Sequence, residues 1–175
     1  MQRPGGRSAR VRDAVHEAVL ALLRERSWEE LSIPAVADRS GVHQATIYRR
    51  WRSMPVLLDD VVARDVPFLG ACYGIGTLGR HQGAVVDRTY AEPIGGVRIK
   101  VTRAGREDPL FERAGSSFGA YVGHKEAISK LPAHAVTLAY SERCPVQAFR
   151  IGRRVYATQF HPELDLDGLA TRIEV

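Results

Sequence analysis

Sulfur and long apolar runs are scarce in this chain, and each scarcity closes off a class of protein. Two cysteines in 175 residues, Cys72 and Cys144, do not make a disulfide framework. No apolar run nears the ~18 residues that a membrane-spanning helix needs. The basic stretch from Met1 to Arg12 lacks the apolar sequel of an export signal, because Asp13, His16 and Glu17 interrupt it. A cytoplasmic protein without membrane contact is the expectation. Internal repeats and low-complexity tracts are absent. Charge of one sign is also limited, at a net +5. Residues 1–65 hold eleven arginines against nine acids, and residues 66–175 hold fourteen Lys and Arg against eleven. The bias is densest over residues 1–52, with ten arginines against six acids, which permits nucleic-acid binding without requiring it. At 45% hydrophobic and 26% charged, the composition is globular. The length suits one ordinary domain or two small ones.

The first sixty-five residues read as helices. Val11, Val15, Val19, Leu22 and Leu23 recur at helical spacing, predicting a helix capped by Ser8 and ending near Arg26. Trp28 and Leu31 then return to the core. Ser32 caps a second, short helix with Pro34 in its first turn, where a missing N–H does little harm. Val36 and Ala37 face inward, and Gly41 ends the helix where a left-handed residue is needed. Val42 is expected to be buried in the turn. A third helix runs from His43 to about Arg50, with Ala45 and Ile47 packing inward. Ser53 caps a fourth, with Pro55 early and Leu57, Leu58, Val61 and Val62 inside. Two short helices joined by a glycine-containing turn and braced by a longer helix make a helix-turn-helix. The outer face of the third helix carries His43, Gln44, Thr46, Tyr48 and Arg49. Gln reads adenine edges and Thr touches thymine methyls, while Tyr48, Arg49 and Arg50 suit phosphates. The plainer alternative is a small helical domain with a solvated polar face.

Leu31-Ser32-Ile33, Val36-Ala37, Ser40-Gly41-Val42, Ala45-Thr46-Ile47-Tyr48 and Trp51 together resemble the head of the tetracycline-repressor (TetR) family over residues 8–62. The resemblance implies that the third helix enters the major groove of duplex DNA. Met54 stands where that family usually has a phosphate-contacting Lys, which implies weaker backbone anchoring.

After Arg64 the pattern changes. Val66-Pro67-Phe68-Leu69 signals a short buried strand, and it runs into Gly70-Ala71-Cys72-Tyr73-Gly74. A strand ending in Gly-x-Cys-x-Gly before a helix is a nucleophile-elbow pattern, in which small residues permit a sharp turn and expose the nucleophile. The helix N-terminus there favours thiolate. A lone Cys is otherwise a small buried apolar residue. The same stretch reads Gly74-x-Gly76-x-x-Gly79, a dinucleotide-type spacing with Asp87 and Glu92 downstream. That match is weak, because it begins after the elbow and not at the strand end.

Val155 to Phe160 is the second strand of interest, and it leads into His161-Pro162-Glu163. In extended chain, positions i and i+2 point the same way. A His beside a carboxylate, brought to a Cys, is a nucleophile–base–orienter set. Cys72 would attack an amide carbonyl, His161 would carry the proton and Glu163 would orient the imidazole. The set needs no cofactor and no metal. Val97, Ile99 and Val101 alternate as a strand, as do Val136, Leu138 and Tyr140. Val146–Ile151 and Val155–Phe160, joined at Gly152-Arg153, read as a hairpin.

Gln159-Phe160-His161-Pro162-Glu163, together with the Cys72 elbow, resembles the class I glutamine amidotransferases, the GMP-synthase-like members above all. Val122-Gly123-His124-Lys125-Glu126 with Leu131-Pro132 matches the same family, with His124 in a structural role. Two departures stand out. Gly76 occupies the place of a substrate-holding Gln. The family's opening strands and helices, which place this strand centrally in a parallel sheet and supply one oxyanion-hole N–H from a Gly-rich loop, are replaced by the repressor-like head.

The expected fold is therefore mixed. An all-α helix-turn-helix head over residues 1–65 is followed over 66–175 by an incomplete α/β amidotransferase-like portion lacking its N-terminal half. The chain reads as a chimera of two unrelated pieces. The alternative is a natural two-domain protein with a minimal glutaminase module that passes ammonia to a partner synthetase. Duplex DNA is the expected partner of the head. Binding should be weak and monomer-like, because the repressor family's helical dimerisation domain does not follow. Glutamine is the expected ligand of the second portion if it assembles, with hydrolysis at or near background. Cys144, placed in a loop before Pro145, should be less reactive than Cys72.

Overall fold

The computed structural model describes residues 6–26, 30–65 and 67–165, and only the backbone of Tyr73 and Thr77. Trp28, Val66 and the chain after Asp165 lie outside the described residues. The chain divides into two compact units, Met1–Arg64 and Asp65–Val175.

The first unit holds α1 (Arg7–Leu22), α2 (Ile33–Ser40), α3 (Gln44–Trp51) and α4 (Met54–Ala63). Its core is the apolar stripe foreseen from helical spacing: Val15, Val19, Leu22, Val36, Ile47, Leu57 and Leu58 are all buried. The Ser32 hydroxyl accepts the Ala35 N–H at 3.3 Å, and Gly41 ends α2 at φ 67°, a conformation that a Cβ disfavours. Several local expectations are corrected. Gly6, not Ser8, precedes α1, and the helix stops at Leu22 in a run of turns, not near Arg26. Ser53 stands at the N-cap of α4 without a side-chain cap bond. Ala45 is exposed and Val42 and Val62 are half-buried, because Ile47 and Trp51 alone fill the inner face of the two-turn α3.

Polar groups tie the helices together under that core. The Asp60 carboxylate of α4 accepts from Trp51 Nε1 at 2.8 Å and from His16 Nε2 of α1 at 2.9 Å. Arg64 reaches Asp13 at 2.6 Å. Burial, aided by Arg64 and Arg12, holds the His16 imidazole below its ordinary value against the opposing pull of Asp60.

The second unit is a mixed six-stranded sheet with helices, in the order β1 (Phe68–Ala71), β8 (Val155–Thr158), β7 (Ala148–Ile151), β6 (Ala135–Tyr140), β3 (Glu92–Val101) and β4 (Ser117–His124). A two-stranded sheet pairs β2 (Val85–Asp87) with β5 (Ala127–Lys130), and α5 (Tyr73–His81) and α6 (Arg103–Arg106) complete the unit. Among the described residues only β1 and β8 run parallel; the other pairs are antiparallel. Ile99, Val101, Leu138, Ala139, Ala148, Phe111 and Phe160 form one buried cluster.

The foreseen hairpin is present as β7–β8, with Gly152 at φ 57° in its turn. The alternation foreseen in β6 is corrected. The register slips between Thr137 and Ala139, so Leu138 and Ala139 are both buried and Tyr140 is exposed. The strand before the elbow, central in the family, has the bare edge expected of it here. Among the described residues β1 pairs only with β8 and stands at the edge of the sheet; the element before it in the chain is α4. The dinucleotide-type glycines fall inside α5 and not at a strand end. A Cβ on Gly79 would stand 2.6 Å from Ile128 Cδ1, so this glycine serves helix–strand packing.

Candidate functional site

The parallel pair β1–β8 sets the geometry. Its register runs from Phe68↔Val155 to Ala71↔Thr158, so Cys72 and the Gln159–Glu163 segment leave the sheet side by side at the strands' C-terminal ends. The Cys72 N–H donates to Thr158 O at 2.7 Å, extending the pairing to the elbow itself. Cys72 has φ 48° and ψ −91° and caps the N-terminus of α5. A Cβ on Gly70 would lie 3.2 Å from Gly74 Cα, so a side chain there would press on the start of the helix where the strand and the helix meet. The thiol is half-buried.

His161 is 9% exposed. Its backbone N–H donates to Tyr121 O of β4 at 2.9 Å, and Thr158 Oγ1 donates to Phe160 O at 3.0 Å. Both bonds hold the chain just after β8. His161 Nδ1 and Glu163 Oε1 are 2.7 Å apart, with the Glu163 side chain about half exposed at 48%. The structure therefore brings His161 and Glu163 into contact and sets Cys72 at the neighbouring strand end. Cys72 and His161 line different cavities: His161 borders a space beside Phe118, Tyr121 and Phe160.

The cavity at Cys72 measures about 440 Å³. Its wall includes Gly76, Arg80, Arg88, Gly123, His124, Lys125, Glu126 and Gln159. Arg80 is paired with Glu126 at 2.6 Å, so Arg88 and Lys125 give the opening a positive bias. At Gly76 an added Cβ would find only Val86 Cγ1, at 3.8 Å. The cavity therefore has open space where the amidotransferase resemblance places a substrate-holding Gln.

A buried polar cluster behind this wall had no signal in the sequence pattern. Glu92 and His124 are cross-strand partners of β3 and β4, and His124 Nε2 donates to Glu92 Oε2 at 3.0 Å. Gln147 Nε2 donates to the same oxygen at 2.6 Å, and Ser141 Oγ donates to Oε1 at 3.2 Å. Cys144 is fully buried beside them, and burial pushes its thiol up to about 11. Glu92, His124 and Cys144 offer ligand atoms within 4.8 Å of one another, a set that a soft divalent metal could use. The carboxylate's hydrogen bonds are already made by protein donors, so the cluster stands as a hydrogen-bond network.

In the helical unit, α3 presents its residues unequally. Gln44, Tyr48 and Arg49 are exposed and Thr46 is half-buried. His43 Nδ1 accepts the Ala45 N–H at 3.2 Å, so this side chain caps the helix. Arg50 donates to Ser8 Oγ at 2.8 Å and lies 5.1 Å from the Trp51 ring centre. These contacts tie it to α1 and to its own neighbour. A groove lined by His43, Thr46, Arg49 and Arg50 also includes Arg7 at the start of α1, a cation that the reading of α3 alone does not find.

No helix among the described residues is long and apolar enough to cross a membrane. Residues 16–61 match the family described as bacterial regulatory proteins, tetR family. Among curated proteins, the chain is similar to the glutamine-hydrolysing GMP synthase of Thermosipho africanus, 31% identical over 114 residues that make 65% of this chain and 21% of that protein. It is also similar to a subunit of the glutamine-hydrolysing GMP synthase of Methanocaldococcus jannaschii, 31% identical over 108 residues, 61% of this chain and 56% of that one. The chain thus spans about a fifth of the first relative and just over half of the second. Its fold resembles a glutamine amidotransferase of Thermotoga maritima, with TM-score 0.60, 23% identity and coverage of 73% of this chain and 52% of that one. A second, from Methylobacillus flagellatus, gives TM-score 0.61 at 24% identity, covering 69% and 48%. Residues 43–173 match the family described as glutamine amidotransferase class-I, and the chain belongs to that family.

Proposed function

We propose that residues 67–165 carry a class I amidotransferase-type site in which Cys72 attacks the carboxamide of glutamine, His161 carries the proton and Glu163 orients the imidazole. The observation that supports this most is the strained Cys72 elbow at the end of β1, beside a β8 whose own end carries the 2.7 Å His161–Glu163 contact. A thiol at a helix N-terminus is biased toward thiolate. The positive bias from Arg88 and Lys125 suits the α-carboxylate of an amino acid whose side chain reaches toward Cys72.

Turnover in this chain is near background. Acyl transfer needs two N–H donors aimed at the developing oxyanion, and losing one lowers the rate by roughly a hundredfold to a thousandfold. The elbow offers the backbone N–H after Cys72. In the family the second comes from a Gly-rich loop ahead of the elbow strand, whereas here β1 is preceded by helices and has an open edge among the described residues. The exchange of the substrate-holding Gln for Gly76 weakens glutamine binding as well. Ammonia release from glutamine, with Cys72→Ala as control, tests this directly.

A second activity belongs to the helical unit. The match over residues 16–61 and the exposed Gln44, Tyr48 and Arg49 on α3 support a DNA-binding head of the repressor type. It contacts duplex DNA weakly and as a monomer. The similarity to a GMP synthase that is divided into subunits supports a partner synthetase as the ammonia acceptor of any working form of the second unit.

A further inference from the structure

We infer that Glu92 is a positioning residue for the Cys72 site, acting through His124 and Gln147 to fix two walls of the cavity; this rests on the reading of Cys72 as the glutamine-directed nucleophile. Glu92 itself does not line the cavity. It begins β3, and its side chain is 2% exposed. A buried carboxyl is retained at such a place only when its acceptors are filled, and here they are filled by groups that lead to the site.

Two routes run from it. The first is His124, the last residue of β4, whose Nε2 donates to Glu92 Oε2 at 3.0 Å. The next two residues, Lys125 and Glu126, belong with His124 itself to the wall facing Cys72. The second route is Gln147, whose Nε2 donates to the same oxygen at 2.6 Å and whose backbone carbonyl accepts the Gln159 N–H at 2.7 Å. Gln159 is also a wall residue of the cavity, two positions before His161. Ser141 closes the cluster. Its Oγ donates to Glu92 Oε1 at 3.2 Å and accepts the Cys144 N–H at 3.0 Å. One carboxyl thus joins the end of β4, the β6–β7 connection and the chain after β8. Both carboxylate oxygens are bonded, whereas His124 Nδ1 and Gln147 Oε1 are buried without a hydrogen-bond partner among the described residues, so the carboxylate is the hub that holds these side chains and its loss frees them together.

The consequence is specific. Freeing the His124–Glu126 wall misplaces a bound amino acid relative to Cys72, while a small neutral alkylating agent that needs no wall still reaches the thiol. The experiment compares alkylation of Cys72 by a glutamine-like diazoketone and by iodoacetamide, read by peptide mass spectrometry on the full chain. In Glu92→Ala the ratio of the two rates should fall by on the order of tenfold to a hundredfold, the usual penalty for a misplaced reactant. Glu92→Gln should lower the ratio far less, because an amide oxygen can still accept from His124 and Gln147 and only the bond from Ser141 is lost, Ser141 Oγ already accepting from Cys144 N–H and Gln147 Nε2. An unchanged ratio in a Glu92→Ala protein that melts above the assay temperature overturns the inference, since a merely structural role moves both reagents alike. If Glu92→Ala does not fold, Ser141→Ala removes one donor only. A smaller fall in the ratio is then expected, and no fall overturns the inference. If the diazoketone labels Cys72 of the unaltered protein no faster, relative to iodoacetamide, than it labels a free thiol, the glutamine reading itself fails and takes the role of Glu92 with it. A preference that is kept in Glu92→Ala defeats the role of Glu92 alone.

Discussion

Cys72, at φ 48° and ψ −91°, lies in a part of backbone space that side chains with a Cβ rarely enter. Such a residue stores about 1–3 kcal/mol of strain, held in place by its surroundings. Here the restraint is the 2.7 Å bond from its N–H to Thr158 O and the start of α5. Cys72→Gly removes the strain but loosens the unfolded chain, which offsets about 0.5–1 kcal/mol of the gain. Cys72→Ala keeps the Cβ and therefore the strain. Both variants lack sulfur, so every contact of the thiol cancels between them. The glycine variant should be more stable than the alanine variant by about 1 kcal/mol, or about 4 °C in melting temperature for a unit of this size. Both tryptophans, Trp28 and Trp51, fall in the first unit. The second unit is therefore followed by calorimetry and not by tryptophan emission. An alanine variant as stable as the glycine variant would show that position 72 is unstrained, and the elbow would lose its physical basis.

Other expectations follow from particular contacts. Burial holds the His16 imidazole below its ordinary 6.5, so the unfolded chain binds a proton that the folded helical unit resists. That contribution to stability is complete above pH 6.5 and is lost as the pH falls below it. Tryptophan emission during urea unfolding should show the loss, and His16→Gln should flatten it; stability rising toward acid would contradict the burial argument. DNA binding by the head should weaken with salt. Arg49→Ala should reduce affinity for all sequences alike, whereas Gln44→Ala or Thr46→Ala should shift sequence preference by about 1–3 kcal/mol, as measured by fluorescence anisotropy. Salt-indifferent binding would count against the head. In the native protein Cys144, fully buried with its thiol raised to about 11, should resist iodoacetamide while Cys72 reacts, and equal labelling would mean that the sheet around Cys144 is open.

Much of the site could be read from local pattern, because its parts are contiguous. The glycines around Cys72 and the His161-Pro162-Glu163 run each lie within a few residues, and their placement at neighbouring strand ends depends on one parallel pairing, β1 with β8. Ser32 and Gly41 were legible as caps for the same reason. The Glu92 cluster was not. Its members are spread from position 92 to position 147, and Glu, Ser and Gln in a single sequence look like surface residues. Only the cross-strand register of Glu92 with His124 turns them inward. Cys144 likewise read as a loop residue, while the β6–β7 connection folds back under that cluster and buries it. In α3, composition alone did not separate Arg49 from Arg50, which is likewise exposed but held by Ser8 and Trp51.

On the proposed reading, in which Cys72 is the nucleophile at a strand end and the second oxyanion donor is missing, the site should be assembled but almost silent. Ammonia release from glutamine by the full chain, against Cys72→Ala, reads this out without an intermediary. Release is expected at or near that of the Cys72→Ala control, since loss of one donor alone removes roughly a hundredfold to a thousandfold of rate. Turnover well above the control would contradict the missing donor, and residues 67–165 would then be a working minimal glutaminase.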